Sequence, residues 1–121
     1  RLSRFLDAAP SDLRWAVEFR DPGWLRPDVY SILRDHAAAL CIHDLIDNHP
    51  VRLTADWVYL RYHGCGAACA GCYGDEQLVG EADRIGAWLT DGRDVFAYFN
   101  NDAHGCAVRN ALKLKEYCGV A

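Results

Sequence analysis

Methionine is absent from the 121 residues. A complete translation product begins with one, so the chain reads as a fragment or a trimmed product. No apolar run reaches the roughly 18 residues of a membrane span. The opening residues, RLSRFLDAAP, lack the apolar core of a secretory signal. Positive charge is scarce. Thirteen Lys and Arg against 17 Asp and Glu give a net charge of -4, which leaves no basic footprint for nucleic acid. Low-complexity stretches and internal repeats are also missing, which argues against a disordered chain and a solenoid.

What is present describes a folded chain. Hydrophobic residues make up 51% and charged residues 25%, the composition of a soluble globular protein. The length predicts one domain spanning residues 1–121. There are six cysteines: Cys41, Cys65, Cys69, Cys72, Cys106 and Cys118. Cys41 lies in a strand-like run, and Cys106 and Cys118 lie in a helical pattern. Nothing points to secretion, so reduced thiols in a cytoplasmic protein are the expectation.

Four short runs read as strands: Ala16–Arg20, Ala39–Asp44, Trp57–His63 and Asp94–Asn100. Each is rich in β-branched or aromatic residues and ends in polar ones. Helical patterns follow them. Pro27 suits a first helical position, with Val29, Ile32 and Leu33 on one face as far as His36. Asp75 is placed to cap a helix carrying Leu78, Ala82, Ile85 and Leu89. Asn101 or Asp102 is placed to cap a last helix whose stripe is Ala107, Ala111, Leu114 and Cys118. Arg1–Ala8 reads as the tail of a helix. Only the connection from Leu45 to Asp56 shows no helix.

Alternating strand and helix predicts an α/β fold with parallel strands and crossover helices. Four such units match about half of a (β/α)8 barrel. The fold expected is therefore the C-terminal half of a TIM-like barrel. Alternation along each strand assigns its faces. Val17 and Phe19 oppose Glu18 and Arg20. Leu40 and Ile42 oppose Cys41 and His43. Val58, Leu60 and Tyr62 oppose Tyr59, Arg61 and His63. Val95, Ala97 and Phe99 oppose Phe96, Tyr98 and Asn100. The aliphatic set is expected against the helices and the polar set on the inner face. Strands cut from a closed barrel leave open edges, so self-association is expected of this segment.

Whole phrases add to this. AVEFR followed by Trp24, TADWVYLRYHG, YGDEQL, and DVFAYFNND followed by HGCAVRNAL resemble the YecE-like family of bacterial proteins, domain of unknown function 72. The matched phrases run from Ala16 to Leu112. The resemblance implies a (β/α)8 barrel about twice this length, of which this chain is the C-terminal half. It implies signature positions at Glu18, Arg20, Asp44, Arg61, His63, Gly64, Asn100 and Asn101. It implies no established activity. The cysteine-bearing segment Cys65–Cys72 departs from the family pattern.

Three groups of residues can carry chemistry. The first lies at the strand ends: Glu18, Arg20, His43, Arg61, His63 and Asn100, with Asp44 and Asn101 beside them. Guanidiniums offer a rigid fork for carboxylate or phosphate. Glu18, His43 and His63 are the candidate acid–base groups, and Arg20, Asp44, Arg61, Asn100 and Asn101 the candidate substrate contacts. The alternative is an ion pair of Glu18 with either arginine that merely fills a barrel layer. The second group is the loops Gly64–Gly74 and Asn101–Gly105, where such barrels often hold phosphate. An ordinary turn and cap explain them equally. The third is Cys65, Cys69 and Cys72. No metal or cofactor is expected, but the spacing leaves open an Fe–S cluster, or zinc with His63 as fourth ligand.

These readings converge on a barrel that takes a small anionic ligand, a phosphate or sugar derivative, at the strand ends. One form is an enzyme. The alternative is a non-catalytic barrel that binds a ligand or a protein. Neither a nucleic-acid nor a membrane partner is expected.

Overall fold

A computed structural model describes residues 1–64 and 71–120. It is an α/β fold in which every strand pair among the described residues is parallel. The order is α1 (Leu2–Ala8), β1 (Ala16–Val17), α2 (Pro27–Asp35), β2 (Ala39–Leu40), β3 (Ile42–His43), β4 (Val58–Tyr62), α3 (Asp75–Thr90), β5 (Val95–Phe99) and α4 (Cys106–Tyr117). Short 3-10 turns precede α2 and α4, at Pro22–Trp24 and Ala103–Gly105. No helix among the described residues is long and apolar enough to cross a membrane.

The expected strands are present but trimmed, and the second is split. β1 pairs with β2, while β3 pairs with β4 and β4 with β5. The run from Ala39 to His43 therefore serves both sheets. Its break falls at Cys41, whose N–H donates to the Val17 carbonyl at 2.8 Å just before Ile42 takes up Leu60 as its partner. β1 ends at Val17 rather than Arg20. Beyond it a side chain takes over the ladder, since the Phe19 carbonyl accepts from His43 Nε2 at 2.7 Å.

Two helix starts differ from expectation. Asp75 is the first residue of α3 and not its cap. The Gln77 side chain reaches back to accept from the Gly74 N–H at 2.8 Å. Neither Asn101 nor Asp102 caps α4. A 3-10 turn intervenes, Gly105 takes the position before the helix at φ 71°, and the Asn101 amide is used elsewhere. The Leu45–Asp56 connection indeed has no helix. Thr54 docks it, donating to the Ala38 carbonyl at 2.6 Å and accepting from the Leu40 N–H at 2.9 Å.

The faces follow the alternation. Ile42, Val58, Leu60 and Tyr62 pack on Leu78, Ala82, Ile85 and Trp88 of α3 and Leu114 of α4. Phe19 and Leu40 pack on Leu6 of α1 and Val29, Tyr30 and Leu33 of α2. Leu33, Leu60 and Leu78 are essentially sealed from water, and each such side chain contributes about 2 kcal/mol. The stripe of α3 turns at its end, so that Trp88 is buried while Leu89 is exposed. The opposite sheet face carries paired aromatics. Tyr59 and Tyr98 are tilted against each other at 5.1 Å and Trp57 meets Phe96 edge-on at 5.6 Å, and Phe96 and Tyr98 remain exposed.

Candidate functional site

Parallel strands bring their C-terminal ends together, and one carboxylate becomes the hub. Glu18 follows β1 on the face away from the helices. Its Oε2 accepts from Arg20 Nε at 2.9 Å. Its Oε1 lies 3.1 Å from His63 Nε2 and 3.5 Å from Arg61 Nη1. Cys41, on the strand between, donates its thiol to the same oxygen at 3.7 Å. The side chains of Glu18 and His63 are 13% and 5% exposed, against 64% for Arg20. The pair is thus shielded while Arg20 reaches into solvent.

Burial pushes the Glu18 carboxyl up, but hydrogen bonds from Arg20 and His63 and the charges of Arg61 and His63 outweigh it. The net direction is down, so Glu18 is held as a carboxylate. The Cys41 thiol is pushed up to about 12 by burial and by the Glu18 charge. It stays protonated and is no nucleophile at neutral pH. Glu18, Cys41 and Arg61 border a hollow of about 340 Å³ whose other walls include Arg14, Trp57 and Tyr59. A second hollow of about 360 Å³ is bordered by Asp44, His49, Arg61 and Tyr73 and by Gln77 and Glu81 of α3.

The other expected site residues divide. His43 stands beside His63, ring centroids 6.0 Å apart, but both its nitrogens are held by backbone. The Leu45 N–H donates to Nδ1 at 3.1 Å, so Nε2 carries the proton that bonds the Phe19 carbonyl. His43 is a brace between backbone groups in this arrangement. Asp44 is likewise a local anchor. Its Oδ1 accepts from the His63 N–H at 2.8 Å, and its Oδ2 accepts from the Tyr73 hydroxyl. Asn100 follows β5 in an exposed position, its N–H on the Tyr62 carbonyl at 3.0 Å. Asn101 is buried and turned away from the cluster, donating to the Gly71 carbonyl and to Asn110 Oδ1.

Cys65 and Cys69 lie outside the described residues. Cys72 is joined to Cys106 in a disulfide, which corrects the expectation of wholly reduced thiols. Cys41 and Cys118 are unpaired.

The family model described as "Protein of unknown function DUF72" matches residues 1–121. The chain belongs to the DUF72 family. Two crystal structures of a DUF72 family protein from Enterococcus faecalis V583 are similar to it, with TM-scores of 0.80 and 0.74 at 21% identity. The match covers 99% of this chain and 52% or 53% of theirs. A DUF72 family protein from Thermotoga maritima MSB8 is similar at a TM-score of 0.69 and 26% identity, covering 95% of this chain and 49% of that one. The chain thus spans about half the length of these DUF72 proteins. No curated protein matches.

Two residues of this DUF72 site have more structural weight than their sequence context suggests. Asn110 bonds both backbone groups of Tyr73, its Oδ1 accepting at 3.1 Å and its Nδ2 donating at 3.2 Å. The signal was a polar residue at a buried helical spacing, between Ala107 and Leu114. Glu81 is the other, accepting from the Tyr62 hydroxyl at 2.5 Å and from Arg84.

Proposed function

We propose that the chain is the C-terminal half of a (β/α)8 barrel whose strand-end cluster binds an anionic small molecule, a phosphate or sugar derivative. In this reading Arg20 and Arg61 hold the anion and the Glu18–His63 pair moves the proton. The observation that carries it is one shielded carboxylate gathering Arg20, Arg61 and His63 at 2.9, 3.5 and 3.1 Å beside an open hollow. Two guanidiniums against that carboxylate leave positive charge. The Asp44 charge is taken up by a backbone N–H and the Tyr73 hydroxyl.

The barrel reading is supported by parallel pairing, by the match to half of longer relatives, and by the exposed aromatics of the inner face. Ligands of such barrels sit at the C-terminal strand ends. Binding without turnover is the second reading, favoured by His43, whose nitrogens are both committed to backbone. His63→Gln in the full-length protein separates the two. Loss of turnover of a sugar phosphate with binding retained supports the enzyme. No turnover in the parent protein, with binding intact, leaves recognition alone.

A further inference from the structure

We propose that the Cys72–Cys106 disulfide is a redox-addressed clamp, opened by a thiol reductant at Cys72 and acting on the loop that anchors Asp44 and Gly64. Cys72 is exposed and Cys106 is fully buried, so an incoming thiolate meets the Cys72 sulfur. Cys106 is the first residue of α4, where the free N–H groups and the helix dipole favour negative charge. Arg109 adds to this. Its Nη2 lies 3.7 Å from Cys106 Sγ and 3.9 Å from Cys72 Sγ. Its Nη1 donates to the His104 carbonyl at 2.7 Å, which fixes the guanidinium. The helix terminus and Arg109 thus favour a leaving thiolate at Cys106 against the effect of its burial, and exchange is faster when the leaving thiol is so stabilised.

The chemistry balances with a dithiol reductant. Its thiolate bonds Cys72 Sγ, the Cys72–Cys106 bond breaks, and the electron pair leaves on Cys106. The reductant's second thiol then displaces Cys72 and closes its own disulfide. Two electrons pass to the protein, and the two protons of the dithiol end on Cys72 and in solvent.

What the clamp holds is specific. Tyr73 follows Cys72 directly. Its hydroxyl donates to Asp44 and accepts from the Gly64 N–H at 2.7 Å, and Asp44 in turn holds the His63 N–H at 2.8 Å. Asn110, one turn after Cys106, fastens the Tyr73 backbone to α4. Opening the disulfide removes the covalent tie between this loop and α4, while Asn110, Asn101 and Arg109 still bridge them. This proposal does not rest on the anion-binding reading.

The test uses the full-length protein purified in air, treated with glutathione or dithiothreitol, alkylated, and mapped by peptide mass. A Cys72–Cys106 peptide pair before reduction and a glutathione adduct on Cys72 are expected. Arg109→Ala slows opening roughly threefold, and Arg109→Lys recovers part of the rate. On reduction, and in Cys106→Ser without reduction, hydrogen exchange quickens at the Gly64 and Tyr73 amides. Cys72 found paired with Cys65 or Cys69, an adduct on Cys106, or exchange at both amides unchanged by reduction would overturn the proposal.

Discussion

Glu18 Oε1 and His63 Nε2 lie 3.1 Å apart although 45 residues separate them in the chain. Glu18 follows β1 and His63 follows β4, and the run Ala39–His43 lies between them. Their meeting therefore reports the order of parallel strands and not closeness in sequence. The contact passes over the middle strand, where Cys41 and His43 fill the space beneath.

Glu18→Gln leaves Arg61 and His63 without their counter-charge. The expected loss at neutral pH is about 1–3 kcal/mol, the cost of uncompensated polar groups in a shielded site. The folded Glu18 carboxyl is held below its ordinary value. Its stabilisation is therefore present above the ordinary carboxylate range and lost as pH falls through the lower, folded value. Denaturant unfolding from pH 7 to about 3.5 should show the gap between parent and variant narrowing in acid. A gap that widens there contradicts the assignment.

Gly64 cannot carry a side chain without movement. It sits at φ +78°, and a Cβ would meet Asn101 Cβ at 2.6 Å. Gly64→Ala is expected to cost roughly 2–4 kcal/mol, adding a clash to the strain of a left-handed backbone. Gly92 is the control, since φ is +80° but nothing lies within 4 Å. Gly92→Ala should cost about 1 kcal/mol. Equal losses for the two variants would mean that the Gly64–Asn101 approach carries no energy.

His36 ties α2 to α1. Its Nε2 meets Asp7 at 2.6 Å and its Nδ1 the Ile32 carbonyl at 2.8 Å. These bonds raise its affinity for a proton, the Asp7 bond most. The docking of α1 is then strongest below the ordinary imidazole range and weakens as pH rises through the raised folded value. Trp15, edge-on to Phe5 of α1 at 5.7 Å, reports it by fluorescence. A transition between about pH 6 and 8.5 that disappears in Asp7→Asn is expected. A pH-independent signal would remove the link.

Residues 1–121 expressed alone should associate. Phe96 and Tyr98 on the sheet face away from the helices and Val108 and Leu112 on α4 are 37%, 49%, 65% and 62% exposed, and β5 carries an unpaired edge among the described residues. Light scattering should give a mass above 13.6 kDa that rises with concentration. A monomer at all concentrations, with cooperative unfolding, would show that these surfaces need no cover.

Strand faces were legible because side chains alternate with a period of two. Val17 and Phe19 reach the helices while Glu18 turns inward, as that spacing demands. Helix cores were legible from the 3.6-residue helical period, except at the end of α3, where Trp88 and not Leu89 is buried, and in α4, where Asn110 is buried and Ala111 exposed. The cap of α4 was not legible. Asn101 has an ordinary capping sequence around it, but Gly71 and Asn110 claim its amide, and neither is adjacent in the chain. His43 reads as a free imidazole because its partners are backbone atoms, which leave no trace in composition. The Cys72–Cys106 pair spans 34 residues and depends on α4 packing beside the loop, a tertiary event that spacing cannot carry.

The most direct test of the strand-end site is calorimetric titration of the full-length protein with inorganic phosphate and a sugar phosphate. Saturable binding is predicted, with its loss in an Arg61→Ala variant that remains folded. No heat with either ligand, or phosphate binding that persists in folded Arg61→Ala, would contradict the account.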